Sequence, residues 1–352
     1  MPANRPAHAG APAPLSALQS IRGIFALFIF FHHEGVFPAG GDAGVALFLM
    51  LSGFVMTYGY GDRVLARGFS PSSLFRRRVA RVWPLHLCCL LLAVTLLPVA
   101  LGPGTMAALG LNLVLLQSWV PLQEFYFSGN SVSWCLSDLM LLYLLFPWLW
   151  RRLHALSAAR TLLLAAAIGA MYAAVLVLTP ADLRVGAVYI NPLMRLPDFL
   201  LGMGLCALFL HHESRLRSVS RTGATLAEAC AWLLLALFIA FYPAMPEAVQ
   251  LACWWWMPCA LLILVSASGS GLIGRLLCRR PLVRAGELSF SFYMVHQIVI
   301  RVLRRLLSHY RLDWDLWLQI AVGLCLAIAA TCVIHRLVEE PARRWLLGIK
   351  PA

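Results

Sequence analysis

Apolar runs alternate with short basic turns along this chain, and their spacing sets the architecture. Runs near 20 apolar residues, long enough to cross a hydrocarbon core as helices, recur at approximately 16–36, 43–61, 83–102, 133–150, 161–180, 192–211, 225–243, 250–269, 286–306 and 315–335. An eleventh run near 105–120 is shorter and is interrupted by Asn112 and Gln117. The pattern predicts an all-α, polytopic membrane helix bundle of about ten transmembrane helices. The connecting loops are too short to hold a soluble domain. Residues 15–346 are therefore expected to form one membrane domain. An Ala- and Pro-rich tail at 1–14, expected to be disordered, precedes it, and a short tail at 347–352 follows.

Charge decides how the runs are threaded. If 105–120 does not cross and the N-terminus is cytoplasmic, every loop arginine except Arg184 and Arg311 falls on one side. If that segment crosses, the Arg63–Arg81 loop lies opposite all the later basic loops, against the positive-inside rule. Both termini are therefore expected in the cytoplasm, with 105–120 interfacial or re-entrant on the outer side. The first run ends in His32-His33-Glu34 rather than in a small-residue cleavage site, so it reads as a retained span and not a signal peptide.

Composition closes off the soluble alternatives. Hydrophobic residues make up 61% of the 352 residues and charged residues only 12%, and mean hydropathy is +0.80. Soluble domains run near half apolar and a quarter charged. The net charge of +13 would suit nucleic acid, but its gathering in short inter-span loops is that of orientation signals, so no nucleic-acid partner is expected. The ten cysteines lie almost entirely in apolar runs without CxxC spacing, as buried small hydrophobes do, and no metal site is expected. The sequence carries no signal for oligomeric state.

The residues that break the apolar pattern are the candidates for chemistry. Arg22 and His33 are eleven apart, about three helical turns plus 20°, so they share one face at two depths roughly 16 Å apart. A charge at mid-bilayer costs roughly 2.5–3.5 kcal/mol, so such groups usually line a protein interior or a cavity. The plain alternative is a snorkelling arginine and a histidine satisfied by its neighbours. Arg78 and Arg81 are three apart and share a face if helical, with Arg76 and Arg77 adding positive potential. Arg195 and Asp198, also three apart, read first as an ion pair. Ser289 and His296, seven apart, share a helix face; Glu287 and His296, nine apart, do not.

Taken in order, these positions resemble a family, the integral-membrane acyltransferase-3 proteins that O-acylate surface glycans. Arg22 and His33 match its first-span pair, Gly44–Phe54 its Gly-rich second span, and Phe75–Pro84 its basic segment. Ser133-Trp134-Cys135-Leu136-Ser137 with Tyr143 and Pro147, Arg195–Met203, Gly286–His296 and Glu339-Glu340-Pro341-Ala342-Arg343 follow at family spacing. The resemblance covers nearly the whole chain; each motif alone is weak, the ordered set strong. Two positions depart from it. The Glu that usually follows Ser137 is Leu139 here, preceded by Asp138, and Ala46 stands where an acidic residue is common.

The resemblance implies transfer of an acyl group, most simply acetyl, from cytoplasmic acyl-CoA to a hydroxyl of an exported carbohydrate or lipid-linked glycan. The setting would be the plasma membrane (the bacterial inner membrane), with no permanently bound cofactor. His33 is the expected general base or acyl carrier, since histidine is the side chain best poised to take a hydroxyl proton near neutral pH. Arg22 and Asp138 complete the expected catalytic set. Arg78, Arg81 and Arg77 are expected on the CoA phosphates, because guanidinium forks match phosphate oxygens. Ser137, Tyr143, Arg195, Asp198, Glu287, Ser289 and His296 are further candidates. A transporter or flippase of a glycan-linked or small acidic substrate competes, since intramembrane Arg, His and Asp also mark substrate pathways; it predicts repeated halves, which the sequence does not display. A non-catalytic assembly module is the third reading, favoured by Leu139.

Overall fold

The computed structural model describes residues 15–98 and 102–348, and among them no strand occurs. The expectations for 1–14 and for the last four residues lie outside the described residues. Ten long helices match the ten expected runs. They are α1 (Ser16–His33), α2 (Ala39–Leu65), α3 (Pro71–Leu96), then, after the short α4 (Pro103–Leu113), α5 (Trp134–His154), α6 (Ala158–Leu178), α7 (Leu196–Ser218), α8 (Arg221–Phe241), α9 (Trp256–Ser268, which with the short helix Glu247–Ala252 before it makes one 22-residue segment, Glu247–Ser268), α10 (Arg280–His309) and α11 (Leu316–Ile334). A π-helical turn, His335–Glu339, leads into α12 (Glu340–Leu347). Seven helical segments are long and apolar enough to cross a membrane. The three long helices below that mark are α1, α7 and α10, which carry Arg22 and His33, Arg195 and Asp198, and His296.

At eleven residues α4 rises about 16 Å, half of a hydrocarbon core near 30 Å, and cannot cross alone. The polar residues that interrupt this run are buried. Asn112 donates to the Ser128 carbonyl (2.7 Å) and to Ser133 Oγ (3.2 Å), Gln117 donates to Ser133 Oγ (3.2 Å), and His86 meets the Asn112 carbonyl at 2.9 Å. Residues 103–133 thus fold back onto the bundle. Their far end reaches α10, where Asn130 donates to the Met294 carbonyl at 2.8 Å.

Helix α2 is the axis of the bundle: 83% of its apolar window is buried, against 6% for the peripheral α6. It packs on α1 and α7, and α1 packs in turn on α10. Lipid tails are as apolar as leucine, so helices in a membrane associate by close backbone approach, which small residues permit. A Cβ at Gly53 would overlap the Phe199 carbonyl, one at Gly202 the Met50 carbonyl, and one at Gly286 the Gln19 carbonyl.

One boundary corrects the expected span 83–102. Ser70 caps α3 by accepting from the Ser73 amide (3.2 Å), and Pro71 opens the helix, so the basic segment is its first turns rather than a loop. Arg78 and Arg81 therefore lie on one helix face.

Candidate active site

The last turn of α1 brings His33 against α10, where its Nδ1 lies 3.0 Å from His296 Nε2. The tautomers follow from the backbone. His296 Nδ1 faces the carbonyls of Tyr293 (2.8 Å) and Phe292 (3.2 Å), which only accept, so Nδ1 carries the proton. In a neutral ring the His296 Nε2 is then an acceptor, and His33 Nδ1 must donate to it. Its contact with the Ile29 carbonyl (3.0 Å) demands the same proton. His33 Nε2 is left with a free lone pair. The pair is fixed from one side by Glu34, whose buried carboxylate accepts from Arg304 at 2.7 Å while Arg304 also donates to the His33 carbonyl. His32 faces elsewhere, with its Nδ1 2.7 Å from the Pro38 carbonyl and its ring against Gly41.

Toward the N-terminal end of α1 a cleft of about 100 Å³, partly open, lies between α1, α2, α3, α5 and α10. Arg22, Arg78, Arg81, Tyr143, Ser289 and Tyr293 line it, among apolar side chains that include Phe48. The Arg78 guanidinium sits over the rings of Tyr60 (4.9 Å) and Tyr143 (5.6 Å). Among the described residues no carboxylate pairs with Arg22, Arg78 or Arg81. Tyr293 joins the cleft to the histidines: it forms part of the wall, its ring lies 5.9 Å from Phe48 and 6.0 Å from His296, and its hydroxyl donates to the Val132 carbonyl at 2.7 Å.

Other expected residues lie apart. Arg77 is exposed on α3 and does not line the cleft. Asp138, expected to be catalytic, is fully buried beside Ser118 and Cys135, and the residue that faces the cleft is Leu139. One helical step of about 100° separates the two side chains, and packing has chosen the leucine. Ser137 accepts from Ser118 (2.7 Å) away from the cleft. Arg195 and Asp198 form the expected ion pair (3.5 Å), fully buried: Arg195 also donates to Tyr172 and to the carbonyls of Leu251 and Ala252, and Trp256 donates to Asp198, while Arg195 Nε and Asp198 Oδ2 face each other without a hydrogen bond. Glu287 is exposed and paired with Arg284 at 2.7 Å. The sequence reading passed over Asp42, buried near the start of α2 and accepting from Tyr242 at 2.5 Å. It stands one helical turn before Ala46, on the same face, and an acid in a Gly-rich span was the available signal. Among the described residues no group of three or more His, Cys, Asp or Glu could hold a metal ion.

A polytopic helix bundle with arginines converging on a cleft and a histidine pair beyond its wall defines a class of membrane protein with a polar site inside the bundle. The acyltransferase-3 model, an acyltransferase domain, matches residues 15–336, and the chain belongs to that family of membrane acyltransferases. It is 32% identical over 334 residues to acyltransferase MdmB of Streptomyces mycarofaciens, covering 88% of this chain and 82% of that one. A shorter similarity, 36% over 85 residues, links it to protein 2 in the picA locus of Rhizobium radiobacter, covering 23% of this chain and 44% of that protein. No solved structure matches significantly.

Proposed function

We propose that the chain moves an acyl group, acetyl in the simplest case, from cytoplasmic acyl-CoA to a hydroxyl of an exported carbohydrate or glycolipid. One observation carries the reading: three guanidinium groups without carboxylate partners converge on a cleft whose Tyr293 wall packs on the paired imidazoles. The three are half-buried, and cations drawn out of water are normally paired, so these call for an anion to complete them. Acyl-CoA supplies phosphates at one end of a long thin arm and a thioester at the other. In this reading all ten long helices span the plasma membrane, both termini are cytoplasmic, and the cleft opens inward.

Arg78 and Arg81 hold donor phosphates, and Arg22, deeper in the cleft, holds the arm or polarises the thioester carbonyl. His33 Nε2 accepts the acceptor's hydroxyl proton as the oxygen attacks the acyl carbon. The C–O bond forms, the C–S bond breaks, and the proton returns through His33 to the leaving thiolate, so the group ends neutral. Vesicles of both orientations test this together. Inverted vesicles should transfer label from added acyl-CoA, sealed right-side-out vesicles should not, and inverted His33→Ala vesicles with equal protein should be inactive. His32→Ala should keep most of the activity. Full transfer by His33→Ala removes the base; transfer only by right-side-out vesicles inverts the topology.

A further inference from the structure

A second cavity, of about 540 Å³ and partly open, adjoins the cleft and shares Arg81 with it. The two are stacked along the same three helices. On α1 Gln19 lines the second cavity and Arg22, one turn on, the cleft; on α10 Arg284 and Glu287 line the one and Ser289 and Tyr293 the other. Their linings differ in kind. Phe48, Leu51, Val55, Met56 and Val82 wall much of the cleft, whereas the second cavity is walled by five arginines, a histidine, a glutamine and three glutamates.

The glutamates are already committed. Glu340 pairs with Arg343 and Arg344, both at 2.8 Å; Glu287 pairs with Arg284; and Glu339 accepts from Ser291 and meets His335 Nδ1 at 2.9 Å. Among the described residues Arg81 and Arg336 have no carboxylate partner, and the Arg343 Nε is buried without a hydrogen-bond partner. Arg336 lies in the π-helical turn between α11 and α12, a local widening often found at functional sites.

Building on the donor assignment above, we infer that this second cavity is the nucleotide subsite. Arg336 and Arg343 bind the 3′-phosphate of the donor's nucleotide end there, while the pyrophosphate stays on Arg81 and Arg78 at the join and the arm runs on into the apolar cleft. Free guanidinium donors on a polar floor suit phosphates, and the narrower apolar walls above suit an uncharged arm. Glu339, which accepts from Ser291 of α10, and Glu340, which pairs within α12, fix the helix turn that presents both arginines.

The test compares acetyl-CoA with acetyl-pantetheine, which keeps the arm and thioester but lacks the nucleotide. The variants are Arg336→Gln, exposed and unpaired and so harmless to folding, and Arg336→Gln/Arg343→Gln. The expected result is an apparent KM for acetyl-CoA raised on the order of ten- to a hundredfold in the double variant. Its KM for acetyl-pantetheine and its kcat with either donor should not move. Adenosine 3′,5′-bisphosphate should compete with acetyl-CoA in wild type and lose that effect in the double variant. Arg217→Gln, in the last turn of α7, should leave all values unchanged. Equal rises for both donors, or no rise for either, overturn the subsite. So does a wild type that uses both donors with the same KM; the thioester donor then stands, but the phosphate contacts of Arg78 and Arg81 fall with the subsite. A wild type that uses neither donor overturns the donor assignment itself, and the subsite with it.

Discussion

His33 owes its free Nε2 to a residue 263 positions away. Because the α10 carbonyls hold the proton on His296 Nδ1, the facing Nε2 can only accept, and this selects the His33 tautomer that leaves a lone pair for proton transfer. His296 is thus a positioning residue. His296→Ala should lower kcat on the order of tenfold, the worth of one neutral hydrogen bond, with the donor KM unchanged. His296→Gln, whose side-chain oxygen can accept from His33 Nδ1, should recover much of the loss. Steady-state kinetics on the two variants check this, and equal loss in both would point to packing alone. The contact was not legible in the sequence, since nothing local to either residue announces the other. What was legible followed helical arithmetic: Arg78 and Arg81 three apart, and Ser289 a polar residue in an apolar run, reach the cleft because a helix face is a local property. Asp138 shows the limit of such reasoning. Whether position 138 or 139 meets the cleft depends on the rotation of α5, which distant packing sets.

The apolar pattern located all ten long helices, yet hydropathy alone accepts only some of them, because the helices that carry the site are diluted by the groups that make it a site. Pattern reading missed the helical state of the basic segment, since arginines in a helix's first turns look like loop charge. Close packing was equally hidden. Gly202 and Gly59 both sit in long helices, but a Cβ at Gly202 would overlap the Met50 carbonyl while one at Gly59 meets nothing within 4 Å. Gly202→Ala should therefore destabilise the α2–α7 contact by about 1–3 kcal/mol through overpacking. Gly59→Ala should be neutral or stabilising by about 0.5–1 kcal/mol, the usual gain from replacing a helical glycine. Thermal unfolding in detergent should show melting temperatures shifted in opposite senses.

At the scale of the molecule, α2 and its neighbours form a buried centre, α6 stands at the edge, and the fold-back at 103–133 closes over the end of the bundle where the histidines lie. The proposed chemistry must join two aqueous compartments through that centre. An open passage there would short-circuit the membrane, across which each elementary charge carries about 2.3 kcal/mol per 100 mV. The ring of Tyr293 lies between Phe48 and His296 and is held by its hydroxyl on Val132, and in the proposed reading it is the insulating partition. Proteoliposomes bearing the wild type should hold an imposed pH gradient, and those bearing Tyr293→Gly should dissipate it severalfold faster even with no acyl donor present. In the proposed reading the aromatic wall is a dielectric: an acyl group has to pass a barrier that protons must not cross.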